Sequence, residues 1–168
     1  MLESVMAEQL IKKNWELSDT LKAVGITLGA LLAMGISCVL LFTPVYVLIF
    51  PAFVGISYLA YRFITNLLVE FEYCIVDGEL TVDKIINKSK RKKVVTVQVR
   101  NFELFEPYDM ERISGESCAA YIRAAECAVP ENGYYAAFNQ PGIGRTILVF
   151  SPNEKMLARI KPYLRKTR

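Results

Sequence analysis

Chemistry in this chain would have to come from carboxylates, cysteines or cationic side chains, because its 168 residues include no histidine. Asp83, Glu103, Glu106, Asp109 and Glu111 form no recognisable acid–base constellation, and each reads as a surface residue of a strand or loop. Cys38, Cys74, Cys118 and Cys127 contain no C-x-x-C pair, so with no histidine to complete a zinc site they are expected as reduced, structural thiols. Gly142-Ile143-Gly144 opens no helix and lacks the Lys-Ser/Thr ending of a phosphate loop; it reads as a hairpin tip. The expectation is a protein that is not an enzyme, with no catalytic residue, metal or cofactor assigned.

The strongest local candidate is the basic corner Lys88, Lys90, Arg91, Lys92 and Lys93. An anionic leaflet attracts each nearby cation by about 1 kcal/mol, so this corner could orient a domain on a bilayer. The competing reading is a solvated turn whose charges keep a sheet edge from aggregating. Nucleic acid is not an expected partner: the net charge is only +3, and no aromatic stripe is interleaved with the cluster.

What positions these residues begins with the uncharged stretch from Ala23 to Tyr61, punctuated at Thr43-Pro44. As one helix it would run about 58 Å against a hydrocarbon core about 30 Å thick, so it is expected to fold back as two transmembrane helices. These are Ala23 to Phe42 and Val45 to about Leu68. The domains expected are an N-terminal amphipathic segment 1–22, a two-helix transmembrane hairpin 23–68, and a cytosolic β domain 69–168. Lys12, Lys13, Lys22 and Arg62 flank the hairpin while its turn is uncharged, so both termini are expected in the cytoplasm of a multi-pass protein of the cell membrane.

Gly25, Gly29, Ala33 and Ser37 recur every four residues and form a candidate helix-packing stripe, either for the chain's own second helix or for a dimer or larger partner. Pro51 is expected to kink the second span. The apolar run begins too late and is too long for a cleaved signal peptide. Cys38, after Gly35-Ile36-Ser37, reads as apolar filler rather than a lipid attachment site. Leu2, Val5, Met6, Leu10, Leu17 and Leu21 fall at mostly helical spacing, which predicts an amphipathic helix. Such a helix would lie on the bilayer with Trp15 as anchor, or dock on the β domain.

From Glu70 the period becomes two. Phe71, Tyr73 and Ile75 alternate with polar neighbours, Asp77-Gly78 supplies a tight hairpin, and Leu80 and Val82 resume the alternation. Beyond the basic corner 87–93, Val95, Val97 and Val99 mark a third strand, and Phe102 and Leu104 a short fourth. Asp109 to Glu116 reads as an irregular loop. Further strands are expected near Ala119 to Ala125, Tyr134 to Phe138 and Thr146 to Phe150. A C-terminal helix is expected after Ser151-Pro152-Asn153-Glu154, with Ser151 as cap and Glu154 closing a capping box. Met156, Leu157, Ile160 and Leu164 form its apolar face, Pro162 is expected to kink or terminate it, and Lys161, Arg165, Lys166 and Arg168 favour its C-terminal end.

This order resembles bacterial membrane-anchored proteins with a pleckstrin-homology-like domain. The segments FEYCIVDGELTVDKIINKSKRKKVVTVQVRNFELF and SPNEKMLARIKPYL are also similar to an uncharacterised bacterial family of small two-transmembrane proteins with such a domain. The resemblance implies an α+β membrane protein in which a seven-stranded, strongly bent sheet or barrel is capped by the C-terminal helix. It implies binding or scaffolding and carries over no catalytic residues. The long first hairpin loop with which eukaryotic relatives of the fold grip phosphoinositides is here only Asp77-Gly78. The expected role is a membrane-anchored, non-catalytic adaptor with the lipid bilayer and a protein partner, or a second copy, as its partners. The alternative is a sensor of an anionic lipid surface through residues 88–93.

Overall fold

The computed structural model describes residues 6–44 and 46–164. The expectations that involve Leu2, Val5, Val45, Arg165, Lys166 and Arg168 lie outside the described residues. Strand β1 (Met6–Lys12) leads into helices α1 (Leu17–Ser37) and α2 (Ile49–Thr65), followed by strands β2 (Val69–Val76), β3 (Glu79–Ile86), β4 (Lys90–Gln98) and β5 (Phe102–Pro107). Helix α3 (Met110–Gly115), strands β6 (Ala120–Arg123), β7 (Tyr134–Gln140) and β8 (Gly144–Phe150), and helix α4 (Glu154–Ile160) complete the order. The chain divides into two compact units: Trp15–Leu68, and the residues on either side of that stretch.

In the β unit, β1-β2-β3-β4 form one antiparallel sheet, and β5-β7-β8-β6 a second in which β6 runs parallel to β8. The strands after residue 68 fall near the expected places, divided between two sheets and with β1 added from ahead of the helices, but β4 already begins at Lys90 and Val99 lies past its end in a 3-10 turn. Tight turns set the hairpin registers. Asp77 and Gly78 have φ of 49° and 79°, the mirror-type turn whose twist matches paired strands. Gly142 at φ 81° and Gly144 at 104° form the β7–β8 tip, with Ile143 N donating to Gln140 O at 3.1 Å. Side chains alternating inward from both sheets, among them Tyr73, Leu80, Val82, Val95, Phe138, Leu148 and Phe150, meet Met156 and Ile160 of α4 in one core. Tyr73 packs edge-on against Phe150 at 5.6 Å.

Several sequence expectations are corrected. Met6–Lys12 is a strand, not part of an amphipathic helix: it pairs along its length with β2, from Met6 opposite Val76 to Lys12 opposite Glu70. Hydropathy misled because Met6 and Leu10 are exposed, whereas the polar Gln9 shares the inward side with Ala7 and Ile11. Gln9 is satisfied there by donating to Ser151 O (3.0 Å) and accepting from Asn153 N (2.8 Å). Residues 110–115 are helical rather than irregular, because the Asp109 carboxylate accepts from Glu111 N (3.0 Å) and Arg112 N (3.3 Å). The cap of α4 is Asn153, whose Oδ1 accepts from Met156 N at 2.8 Å. Ser151 is not that cap; its N–H is bonded to Tyr73 Oη at 3.2 Å instead.

Helix α1 begins at Leu17, ahead of the expected Ala23, so that Asp19 and Lys22 lie within it and pair at 3.9 Å. α1 passes into a tighter helix at Cys38–Phe42, and α2 follows a similar turn at Tyr46–Leu48. Pro51 falls in the first turn of α2, where a missing N–H removes little. The break in α-helical geometry lies ahead of Pro51, not at it.

Candidate functional site

The expected basic corner is a short turn followed by strand. Asn87 and Lys88 have φ of 51° and 52°, and Ser89 N donates to Ile86 O at 3.2 Å; from Lys90 onward the chain is β4. The physical reason is the pairing itself: Lys90, Arg91, Lys92 and Lys93 lie opposite Ile86, Ile85, Lys84 and Asp83. Strand alternation then divides the cluster between two faces. Arg91 lies on the side of Glu72 and Asp83, with guanidinium nitrogens 2.6 Å from Glu72 Oε2 and 3.8 Å from Asp83 Oδ2. Lys84 and Lys92, directly opposite each other, lie two residues beyond Val82 on its side of the sheet. Lys84 was missed as a member because it precedes the run in sequence and meets Lys92 only through the pairing of β3 with β4. β4 is also the last strand of its sheet, where lysines suit a free edge.

The small-residue stripe is divided as well. The groove between α1 and α2, about 290 Å³, is lined by Ile26, Ala30 and Ala33 on one side and by Ile56, Leu59 and Phe63 on the other. A side chain added at Gly25 or Gly29 would meet nothing within 4 Å. Ala33 therefore lines the seam, Ser37 is half-buried and donates to Ala33 O at 2.8 Å, and Gly25 and Gly29 lie off the seam. The helical stretches Leu17–Ser37 and Tyr46–Thr65 are each long and apolar enough to cross a membrane, and their apolar stretches are not buried. Phe42 is 91% exposed and Leu32 70%.

Most of the carboxylates that invited a search for acid–base chemistry make ion pairs or caps. Glu106 accepts from Arg112 (2.9 Å) and from the Tyr135 hydroxyl (3.1 Å), and Arg145 is bracketed by Glu116 (2.6 Å) and Glu103 (3.5 Å). Asp109 is a cap, Glu111 lies in the first turn of α3, and Asp83 is paired with Arg91. Among the described residues no three cysteine and acidic side chains gather as a metal-holding group. All four cysteines are free thiols. Burial, then the charges of Glu8, Glu72 and Asp83, push the Cys74 thiol up, the opposite of an activated thiolate. One further cleft in the β unit, about 520 Å³, is lined by Pro107, Glu131, Asn132, Tyr134, Asn153 and Leu157.

Two four-stranded sheets, the second with a parallel β6–β8 pair, share a core with the capped C-terminal helix, the layered arrangement of an α+β domain. The family model described as a bacterial PH-like domain (DUF6106) matches residues 3–167, and the chain belongs to that family. No curated protein and no solved structure matches the chain. The matched range takes in β1 and both helices.

Proposed function

We propose that this protein is a non-catalytic adaptor held in the cell membrane by α1 and α2, presenting its PH-like unit to the cytosol for a protein partner. The observation that carries this reading is the unburied apolar surface of two span-length helical stretches inserted between adjacent strands of a PH-like domain. Charges at the helix centres are absent, so insertion is favourable, while each buried charge would cost about 2.5–3.5 kcal/mol. Lys12, Lys13, Lys22 and Arg62 flank the hairpin, and the turn around Pro44 has no Lys or Arg, which supports a cytosolic location for the β unit.

The test is crosslinking of the tagged full-length protein in membranes, followed by purification and identification of what stays attached. It is run beside a chain in which a short Gly-Ser linker replaces residues 15–68. That junction is short, because Lys13 N donates to Val69 O at 3.0 Å. A stoichiometric protein retained by both chains at high salt supports the adaptor. If only lipid or self-crosslinks are recovered, the adaptor reading is wrong. Carbonate extraction tests the anchor separately: release of the full-length protein from the membrane would overturn it.

A further inference from the structure

The strand register gathers lysines at one end of the β1–β4 sheet, and it is the end from which the chain departs for the helices. Lys12 lies opposite Glu70, Val69 opposite Ile86, and Ile86 opposite Lys90, with Lys88 in the turn between the last two. One step inward, Lys84 and Lys92 face each other across the ladder. Directly opposed like charges destabilise a strand pair, so this arrangement is unfavourable without an anion to share. Among the described residues Lys84, Lys88, Lys90 and Lys92 enter no ion pair, in contrast to Arg91. The acids near the same end are Glu70, which faces Lys12, Glu126, whose carbonyl accepts from Asn14 N, and Glu72 and Asp83, which hold Arg91. They leave the end cationic.

We propose that Lys84, Lys88, Lys90 and Lys92 form a binding surface for the anionic lipid headgroups of the leaflet that receives the hairpin. This rests on the membrane reading of α1 and α2. Chain connectivity argues for the occupant. α2 ends at Thr65 and β2 begins at Val69, so at most about 14 Å of extended chain separates that end of the sheet from the helix. The other end, at Asp77-Gly78, lies roughly 23 Å away along β2, beyond two Debye lengths of about 8 Å at physiological salt. Connectivity alone therefore keeps one end of the sheet within reach of a charged leaflet, and that end carries the four lysines that enter no ion pair among the described residues. A phosphate-bearing headgroup between Lys84 and Lys92 relieves their repulsion. The Arg91 guanidinium, already held by Glu72, is not part of the surface.

The experiment reconstitutes the full chain in vesicles of phosphatidylcholine alone and of phosphatidylcholine with a third phosphatidylglycerol. The acylation rate of each lysine is then read by mass spectrometry. In the anionic vesicles Lys84, Lys88, Lys90 and Lys92 should label about fivefold more slowly, the factor that matches about 1 kcal/mol per cation. Lys161, beside the Tyr163 that covers Gly78 at the far end, should be unchanged. Protection should vanish near 1 M salt, where the Debye length is about 3 Å. Equal labelling of the four lysines in both vesicles overturns the proposal, as does equal protection of Lys161. Flotation of the same samples in carbonate reads the hairpin independently. A chain that floats yet shows no selective protection refutes the headgroup surface alone, and one that does not float refutes the membrane reading on which it rests.

Discussion

Tyr73 ties together three segments that are distant in sequence. Its hydroxyl donates to Ala124 O and accepts from Ser151 N, while its ring lies against Phe150. Tyr73→Phe keeps the ring and leaves two buried backbone groups without their partner, so urea unfolding of the detergent-solubilised protein should show a loss of about 1–3 kcal/mol. Burial pushes the Tyr73 hydroxyl well above the usual tyrosine range, against the smaller pull of the Ser151 N–H. The folded state thus keeps a proton that the unfolded chain releases near pH 10. The stability linked to Tyr73 is complete below about pH 10 and falls as pH rises further. Tyr73→Phe should flatten this alkaline slope without abolishing it, because burial also raises Tyr121 and Tyr135. Gly78 is a second such position: at φ 79° a Cβ would stand 2.5 Å from the Tyr163 ring. Gly78→Ala should lower the unfolding midpoint, with at least about 1–2 kcal/mol lost to the left-handed backbone alone.

At the scale of elements, the hairpins were readable where a turn and its strands are neighbours in sequence. Asp77-Gly78 between two alternating runs needs no distant information, and the structure places β2 and β3 there. β1 was not readable, because its partner lies beyond both helices and its inward position 9 is a glutamine. Gln9→Ala removes two hydrogen bonds to the segment that opens α4, and should destabilise the β unit by about 1–2 kcal/mol in the same unfolding assay. Were residues 6–12 a surface helix, the change would stay within about 0.5 kcal/mol. The basic run shows the same limit. Its composition was plain, but which lysines share a face depended on the pairing of β3 with β4 and on the register shift beside Asp83.

At the scale of the molecule, the β unit is discontinuous: the chain leaves it after β1 and returns at β2, its neighbour in the sheet. A cut at residue 69, which the sequence alone would recommend, therefore strips an edge strand and exposes the unpaired side of β2. The truncated chain should aggregate. Replacing residues 15–68 by a short linker should instead give a folded unit with a single cooperative unfolding transition. Size-exclusion chromatography and thermal melts of the two chains distinguish these outcomes, and a soluble, folded chain starting at residue 69 would contradict the role assigned to β1.

The sequence by itself determined the two apolar helices, the β-rich remainder, the tight hairpins and the capped last helix, because each rests on composition or periodicity within a short window. Only the tertiary structure decided that the N-terminal residues complete a sheet, that Arg91 is taken up by Glu72 and Asp83, and that Lys84 joins Lys92. These depend on which strand lies beside which, and pairing energy is realised between residues that the sequence holds far apart.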